Sequence, residues 1–315
     1  MTRGIESVRH PETPIDHDSA DTSQLQGPES PIGNGNDIEN ELVVMKTKRP
    51  LIIALLTVAF ALVPFLFWRA TWFGGKLTDA EIERYLHDRN PRNIQHALAQ
   101  AAEHMIDGVA RSGHPPWYRT VASMADHPKQ EIRSTTAWVM GQDNTAPGFH
   151  VALLRLLHDP EPLVRRNAAL SLVRFGDTNA RPELLEMLRP FPLRSPGAGK
   201  LSFRIGENEP VNPGTLLARL VRAPDDVTEI RSPLPGKVLR KCVGEGQPVK
   251  PGEQVIDLAP APEQVWEALR ALVLVGRSED LAEVEKVGRG LGESGYEARV
   301  RQQVDLTVRA IRSRL

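Results

Sequence analysis

Asp126-His-Pro-Lys-Gln-Glu-Ile-Arg-Ser-Thr-Thr-Ala-Trp-Val-Met-Gly141 recurs as Asp159-Pro-Glu-Pro-Leu-Val-Arg-Arg-Asn-Ala-Ala-Leu-Ser-Leu172, which runs on to Gly176-Asp177. Ile132 matches Val164, Arg133 matches Arg165, Ala137 matches Ala169 and Met140 matches Leu172. The aliphatics recur at helical spacing and the alanines let a neighbouring helix come close, so the motif predicts the second helix of a two-helix repeat. The Asp with a Pro just after it is expected to start that helix.

Working outward, Phe149-His-Val-Ala-Leu-Leu-Arg-Leu-Leu157 reads as the first helix of the next pair and Pro182-Glu-Leu-Leu-Glu-Met-Leu188 as that of the pair after it. A weaker unit precedes them, from Asp79-Ala-Glu-Ile-Glu-Arg-Tyr-Leu86 through Ile94-Gln-His-Ala-Leu-Ala-Gln-Ala-Ala102. The pattern returns with Pro262-Glu-Gln-Val-Trp-Glu-Ala-Leu-Arg-Ala-Leu-Val-Leu-Val-Gly276, then Asp280-Leu-Ala-Glu-Val-Glu-Lys-Val287 and Val300-Arg-Gln-Gln-Val-Asp-Leu-Thr-Val-Arg-Ala-Ile311. The helix ending at Leu188 thus lacks a partner until about Glu263. The simplest account inserts the intervening chain into one loop of a continuous helical array.

That intervening chain carries its own duplication. Arg194-Ser-Pro-Gly-Ala-Gly199 leading to Pro210-Val-Asn-Pro-Gly214 is matched by Arg231-Ser-Pro-Leu-Pro-Gly236 leading to Pro248-Val-Lys-Pro-Gly252. Pro fixes φ and Gly supplies positive φ, so these are turns, and the segments between them alternate as short strands. One copy has too few strands to stand alone. Two copies related by a pseudo-two-fold are expected to close a small sandwich over Leu201, Phe203, Ile205, Leu216, Val238, Val249, Val255 and Ile256.

The helical motif resembles HEAT repeats. The β duplication, over about residues 193–260, resembles the biotinyl/lipoyl-like barrel-sandwich hybrid that also occurs in periplasmic adaptor proteins of export systems. The first resemblance implies that Arg133 and Arg165 bridge repeats by bonding neighbouring Asp side chains or carbonyls, with Asp126 and Asp159 as candidate partners. The second implies an attachment lysine at the tip of the hairpin joining the halves. That hairpin is Val221-Arg-Ala-Pro-Asp-Asp-Val-Thr-Glu-Ile230, and the lysine slot falls near Asp225. No lysine occurs between Lys200 and Lys237, so neither biotin nor lipoate is expected and no other cofactor is indicated.

Residues 1–47 are rich in Pro, Gly, Ser, Asn and acids, and are expected to be disordered. His10, Asp16, His17 and Asp18 lie there without a ligand spacing. Leu51-Ile-Ile-Ala-Leu-Leu-Thr-Val-Ala-Phe-Ala-Leu-Val-Pro-Phe-Leu-Phe-Trp68 is uncharged, and residues 50–73 are long enough to span a bilayer, with Trp68 and Trp72 suited to its interface. Lys46, Lys48 and Arg49 before the span, against Arg69 and Lys76 after it, favour a cytoplasmic N-terminus and an extracytoplasmic body. An uncleaved anchor in the cytoplasmic (inner) membrane is expected, although Met45-Lys-Thr-Lys-Arg-Pro also looks like the start of a signal sequence.

The 315 residues carry a net charge of −1, which gives no general attraction to nucleic acid. Val164-Arg-Arg and Val300-Arg-Gln-Gln lie on helices that also carry acids, and read as solvated faces. Cys242 is the only cysteine, so neither an intrachain disulfide nor a cysteine-based zinc site can form. Gly290-Leu-Gly-Glu-Ser-Gly295 has the letters of a dinucleotide loop without the preceding strand. No His-Glu-x-x-His or Gly-x-Ser-x-Gly occurs, so neither a metal site nor an enzyme is expected. Trp138 and Trp266 sit among periodic aliphatics and are expected in the core; exposed, either would be a partner anchor.

The expected fold is therefore mainly α, a HEAT-like solenoid over residues 77–190 and 262–315 with the all-β module at 193–260, behind one transmembrane helix and a tail. The expected function is non-enzymatic scaffolding of protein partners, with the bilayer held through residues 50–73. The alternative is an adaptor subunit of an envelope transport or secretion assembly. Such adaptors place a long helical hairpin between the halves, where this chain has only the short stretch from Val221 to Glu229.

Overall fold

The computed structural model describes residues 76–314 except 109–112, 290 and 292–294. The expected tail (1–47) and membrane span (50–73) lie outside the described residues, as does most of the glycine loop at 290–294. Among the described residues, no helix is long and apolar enough to cross a membrane.

Ten α-helices alternate as first and second members of five pairs among the described residues: α1 (Asp79–Leu86) with α2 (Pro91–Ile106), α3 (Trp117–Ser123) with α4 (Gln130–Met140), α5 (Phe149–Leu156) with α6 (Pro162–Val173), α7 (Arg181–Glu186) with α8 (Pro262–Val275), and α9 (Leu281–Arg289) with α10 (Gly295–Arg312). The second helices stack in order, α2 on α4, α4 on α6, α6 on α8 and α8 on α10. Their starts follow local chemistry. Thr78 and Glu81 form a capping box at α1, and Asn90 accepts from the Arg92 N–H at α2.

The aspartates of the repeated motif do not cap their helices. The N-cap positions are Lys129 and Glu161, and neither makes a side-chain cap bond. Asp159 instead closes an Asx turn, accepting from Glu161 N at 2.9 Å, while Asp126 ends a 3-10 turn. Small residues set the spacing of α4 and α6. Ser171 Oγ donates to Ala137 O at 2.7 Å, and a Cβ on Gly141 would come within 2.4 Å of that Oγ. One hydrophobic core runs from Ile82 to Ile311 through all five pairs, with Trp117, Phe149, Leu153, Leu172 and Leu272 fully buried.

Between α7 and α8 the chain forms eight strands: β1 (Phe191–Arg194), β2 (Gly199–Phe203), β3 (Pro210–Val211), β4 (Leu216–Ala223), β5 (Asp226–Arg231), β6 (Gly236–Lys241), β7 (Pro248–Val249) and β8 (Gln254–Pro260). They make two antiparallel sheets, ordered β1-β8-β6-β3 and β5-β4-β2-β7. Replacing each strand of the first sheet by the one four places away in the chain gives the second. The sequence duplication is therefore a spatial two-fold in which each sheet takes strands from both copies.

The hydrogen bonds repeat with it. Ser195 Oγ donates to Gly197 O at 2.7 Å and Ser232 Oγ to Leu234 O at 2.6 Å. Gly252 N reaches Ser195 O and Gly214 N reaches Ser232 O, both at 2.8 Å, so each Ser-Pro turn is tied to the other copy's Pro-Gly turn. Glu245 accepts from Phe203 N and Glu207 from Lys241 N, at 2.9 and 2.8 Å. Even the left-handed residues correspond, with Asn208 at φ 66 matching Gly246 at φ 71.

The module has its own core, which shares no residue with the helical one. Leu201, Ile205, Val238, Val249, Val255 and Ile256 are buried there. Phe203 is only half-buried, beneath Lys241 Nζ at 4.9 Å. Leu216 is half-buried as well, because a bulge between Leu216 and Ala218 turns Leu217 inward in its place. With about half the described chain helical and two antiparallel sheets beside it, the architecture is mixed rather than mainly α.

A candidate interaction surface

The repeated arginines tie each helical repeat to the next. Arg133 grips Asp159 with two parallel bonds, Nε to Oδ2 at 2.7 Å and Nη2 to Oδ1 at 3.0 Å, and its Nη1 donates to His127 O at 3.0 Å. Arg165 repeats the backbone contact, Nη1 to Asp159 O at 2.8 Å, but its carboxylate partner is Glu183 at 3.1 Å. Asp126 pairs with Arg155 at 3.2 Å, on the exposed surface. Sequence reasoning paired the arginines with Asp126 and Asp159. In the fold each reaches forward to the next repeat, so Asp159 serves Arg133 and the loop holding Asp126 has no repeat arginine behind it to receive.

The next rung was not legible. Arg181, at the start of α7, binds Asp280 in the same two-pronged way, Nε to Oδ2 at 3.0 Å and Nη2 to Oδ1 at 2.8 Å, and reaches Glu279 at 2.7 Å. It bridges the two sides of the β insertion. The hydrogen bonds that Arg133 and Arg181 donate to Asp159 and Asp280 hold both guanidinium groups above the ordinary arginine range. Arg166 differs. It is buried, bonds Gln264 beside the insertion's exit, and burial lowers it to about 10. These arginines are committed to the frame.

Trp138 is not in the core; it is 46% exposed. The buried face of α4 runs through Ile132, Thr136, Val139 and Met140, and Trp138 falls on the opposite side with Glu131, Ser134 and Thr135. Around it, Leu170 of α6 and the 67% exposed Leu274 of α8 line a cleft of about 270 Å3 with Arg174, Glu267 and Arg270. Burial pushes the Glu267 carboxyl up, and Glu263 adds to the effect against the pull of Arg270. Trp266 is half-buried on the helical core, with Arg270 and Arg299 over its ring at 4.6 and 5.8 Å.

A second cleft, of about 360 Å3, lies further toward the N-terminal ends of the same helices. Glu131, Glu161 and Leu163 line it from the helical side, and Pro213, Gly214 and Pro233 from the Pro-Gly turn and the Ser-Pro turn that the Gly214 N to Ser232 O bond ties together. Between the two clefts, Asn167 Nδ2 donates to Ser134 O and Oγ at 3.1 and 3.0 Å. Asp225 is remote from both, exposed in the Pro224-Asp225 turn that joins β4 to β5. Among the described residues no group of three or more His, Cys, Asp or Glu is placed to hold a metal ion.

The sequence of these helices matches a known repeat family. Residues 118–192 fit the family model for HEAT repeats. The match starts within α3 and stops just after β1 begins, so it covers the helices before the insertion. The chain thus carries a HEAT-repeat domain, a kind of array whose extended surfaces mediate protein–protein contacts. No curated protein matches the chain.

Proposed function

We propose that the protein is a non-enzymatic, membrane-anchored scaffold that holds a protein partner on the exposed face of its second helices, with the β module as a second surface. The observation that carries this reading is Trp138, a large aromatic exposed on a HEAT helix and flanked by Leu170 and Leu274 on the next two repeats. Exposed aromatics with aliphatic neighbours are the usual anchors of protein interfaces. The two-fold exchange of strands supports reading the module as a lipoyl-like barrel-sandwich hybrid, and the Pro224-Asp225 tip offers no amine to modify.

The anchor and the extracytoplasmic placement of residues 76–315 rest on the apolar run at 50–73 and the basic residues before it. Crosslinking in intact membranes followed by mass spectrometry tests the scaffold. A reproducible partner is expected with wild type and strongly reduced with Trp138→Ala; recovering none from wild type would sink the reading. Labelling of the exposed Cys242 by an impermeant thiol reagent tests the side of the membrane, and labelling only after the cytoplasm is opened would reverse the orientation.

A further inference from the structure

We infer that the cleft between the β module and the second helices seats a lysine or arginine side chain from an extended segment of the partner, and that an aromatic or aliphatic side chain three residues along packs on Trp138 and Leu170. The inference rests on the scaffold reading and specifies what the scaffold holds.

The cleft has the two parts that a long basic side chain needs. Leu163, Pro213 and Pro233 give an apolar wall for the methylene stem, and Glu131 and Glu161 supply anions for the head. Neither carboxylate has a Lys, Arg or His within 4 Å among the described residues; Arg133 feels the charge of both from further away but spends its two-pronged bond on Asp159, and Arg165 is engaged by Glu183. The Gln130 amide nitrogen, turned toward Glu161, lies 2.9 Å from it and supplies a neutral donor only. Capping does not account for Glu161, which occupies the N-cap position of α6 without a side-chain cap bond, whereas Glu131 sits in the first turn of α4, where the helix dipole favours it. Arg133 acts on both carboxylates only at a distance, so a cation seated in the cleft would give them the direct bond they lack.

Geometry sets the second anchor. Glu131 and Trp138 are seven residues apart on α4, about 10 Å at 1.5 Å per residue. An extended chain covers that distance in three residues. A cleft of about 360 Å3 walled by the β turns takes one long side chain, and an extended segment brings its backbone to the rim with less bulk than a helix about 10 Å across.

The test uses the full-length protein and a labelled decapeptide, Gly-Ser-Gly-Arg-Ser-Ser-Trp-Gly-Ser-Gly, read by fluorescence anisotropy. Comparison peptides carry Glu for Arg, or a single residue between Arg and Trp. The first peptide is expected to bind best, to weaken about fivefold or more in the E131Q/E161Q variant, to weaken with Trp138→Ala, and to lose affinity as salt rises from about 0.05 to about 0.3 M. Equal binding of the Arg and Glu peptides, or binding unchanged by E131Q/E161Q, would overturn the inference. If circular dichroism shows that the double variant is misfolded, Glu131→Gln alone decides by the same readout. A native partner that crosslinks equally well to E131Q/E161Q would overturn this site and leave the scaffold standing. Peptide binding by a protein that captures no partner in membranes would do the reverse.

Discussion

Asp159 has a side chain only 5% exposed, and most of what compensates its charge is the fork of Arg133. Arg133→Ala leaves that carboxylate buried without its partner, and the expected cost is about 3 kcal/mol in urea unfolding. Arg133→Lys keeps the charge but loses the parallel bonds, and about 1 kcal/mol is expected. Equal losses would show that charge alone matters. Glu267 gives the opposite case. Its folded-state carboxyl is raised by burial, so its contribution to stability is fully present below the unfolded value and disappears as pH rises through the raised one. Glu267→Gln is therefore expected to melt higher than wild type at neutral pH and at the same temperature below about pH 4, where both side chains are neutral. A constant difference across that range would contradict the assignment. At this scale the repeat alignment points to Arg133 and Arg165 as bridging residues and to Asp159 as a partner, but not to Glu183, and Asp126 pairs with Arg155 instead, because repeat-to-repeat contacts are not written into either repeat alone. Trp138 was misplaced because aliphatic neighbours in sequence were taken for neighbours in space; the helical period puts Ile132, Thr136 and Met140 on the other face.

The strands were the most legible elements, because the same turn chemistry is written twice and each copy constrains the other. What the repeat could not reveal was the exchange, in which β2 pairs with β4 of its own copy and with β7 of the other. In the other sheet, Gly236 of β6 marks how closely β8 lies beside it. A Cβ there would lie 2.1 Å from Ala259 O, a backbone atom of the adjoining strand that cannot move aside. Gly236→Ala should cost about 2–3 kcal/mol by overpacking, and native-state hydrogen exchange should show lost protection across 191–260 with the helical amides unchanged. Loss spreading equally into α4 and α6 would mean that the two cores unfold together. Among the helices, α3 escaped sequence reading: Trp117-Tyr118-Arg-Thr-Val-Ala-Ser123 follows two prolines, is only seven residues long, and has no periodic stripe long enough to register.

For the molecule as a whole, the insertion is permitted by where its ends lie. Phe191 of β1 pairs with Leu258 of β8, so the chain leaves α7 and returns to α8 through adjacent strands about 5 Å apart. The helical array does not depend on what hangs from that point: α7 packs on α8, Arg181 reaches Asp280, Arg189 reaches Glu283 at 3.1 Å, and the two hydrophobic cores share no residue. Replacing residues 191–260 by a short Gly-Ser link should therefore leave a helical body that still unfolds in one cooperative thermal transition, with more helical signal per residue by circular dichroism. Arg166 sets the expected penalty, because its bond to Gln264 depends on α8 entering at the same angle, so a lower melting temperature is expected without loss of cooperativity. A broad, non-cooperative melt would show instead that the module is part of the helical core. The same variant separates fold from function: it removes Pro213, Gly214 and Pro233 and with them one wall of the acidic cleft, while Trp138 and Leu170 remain. It should keep the aromatic contact to a bound segment and lose the preference for arginine over glutamate.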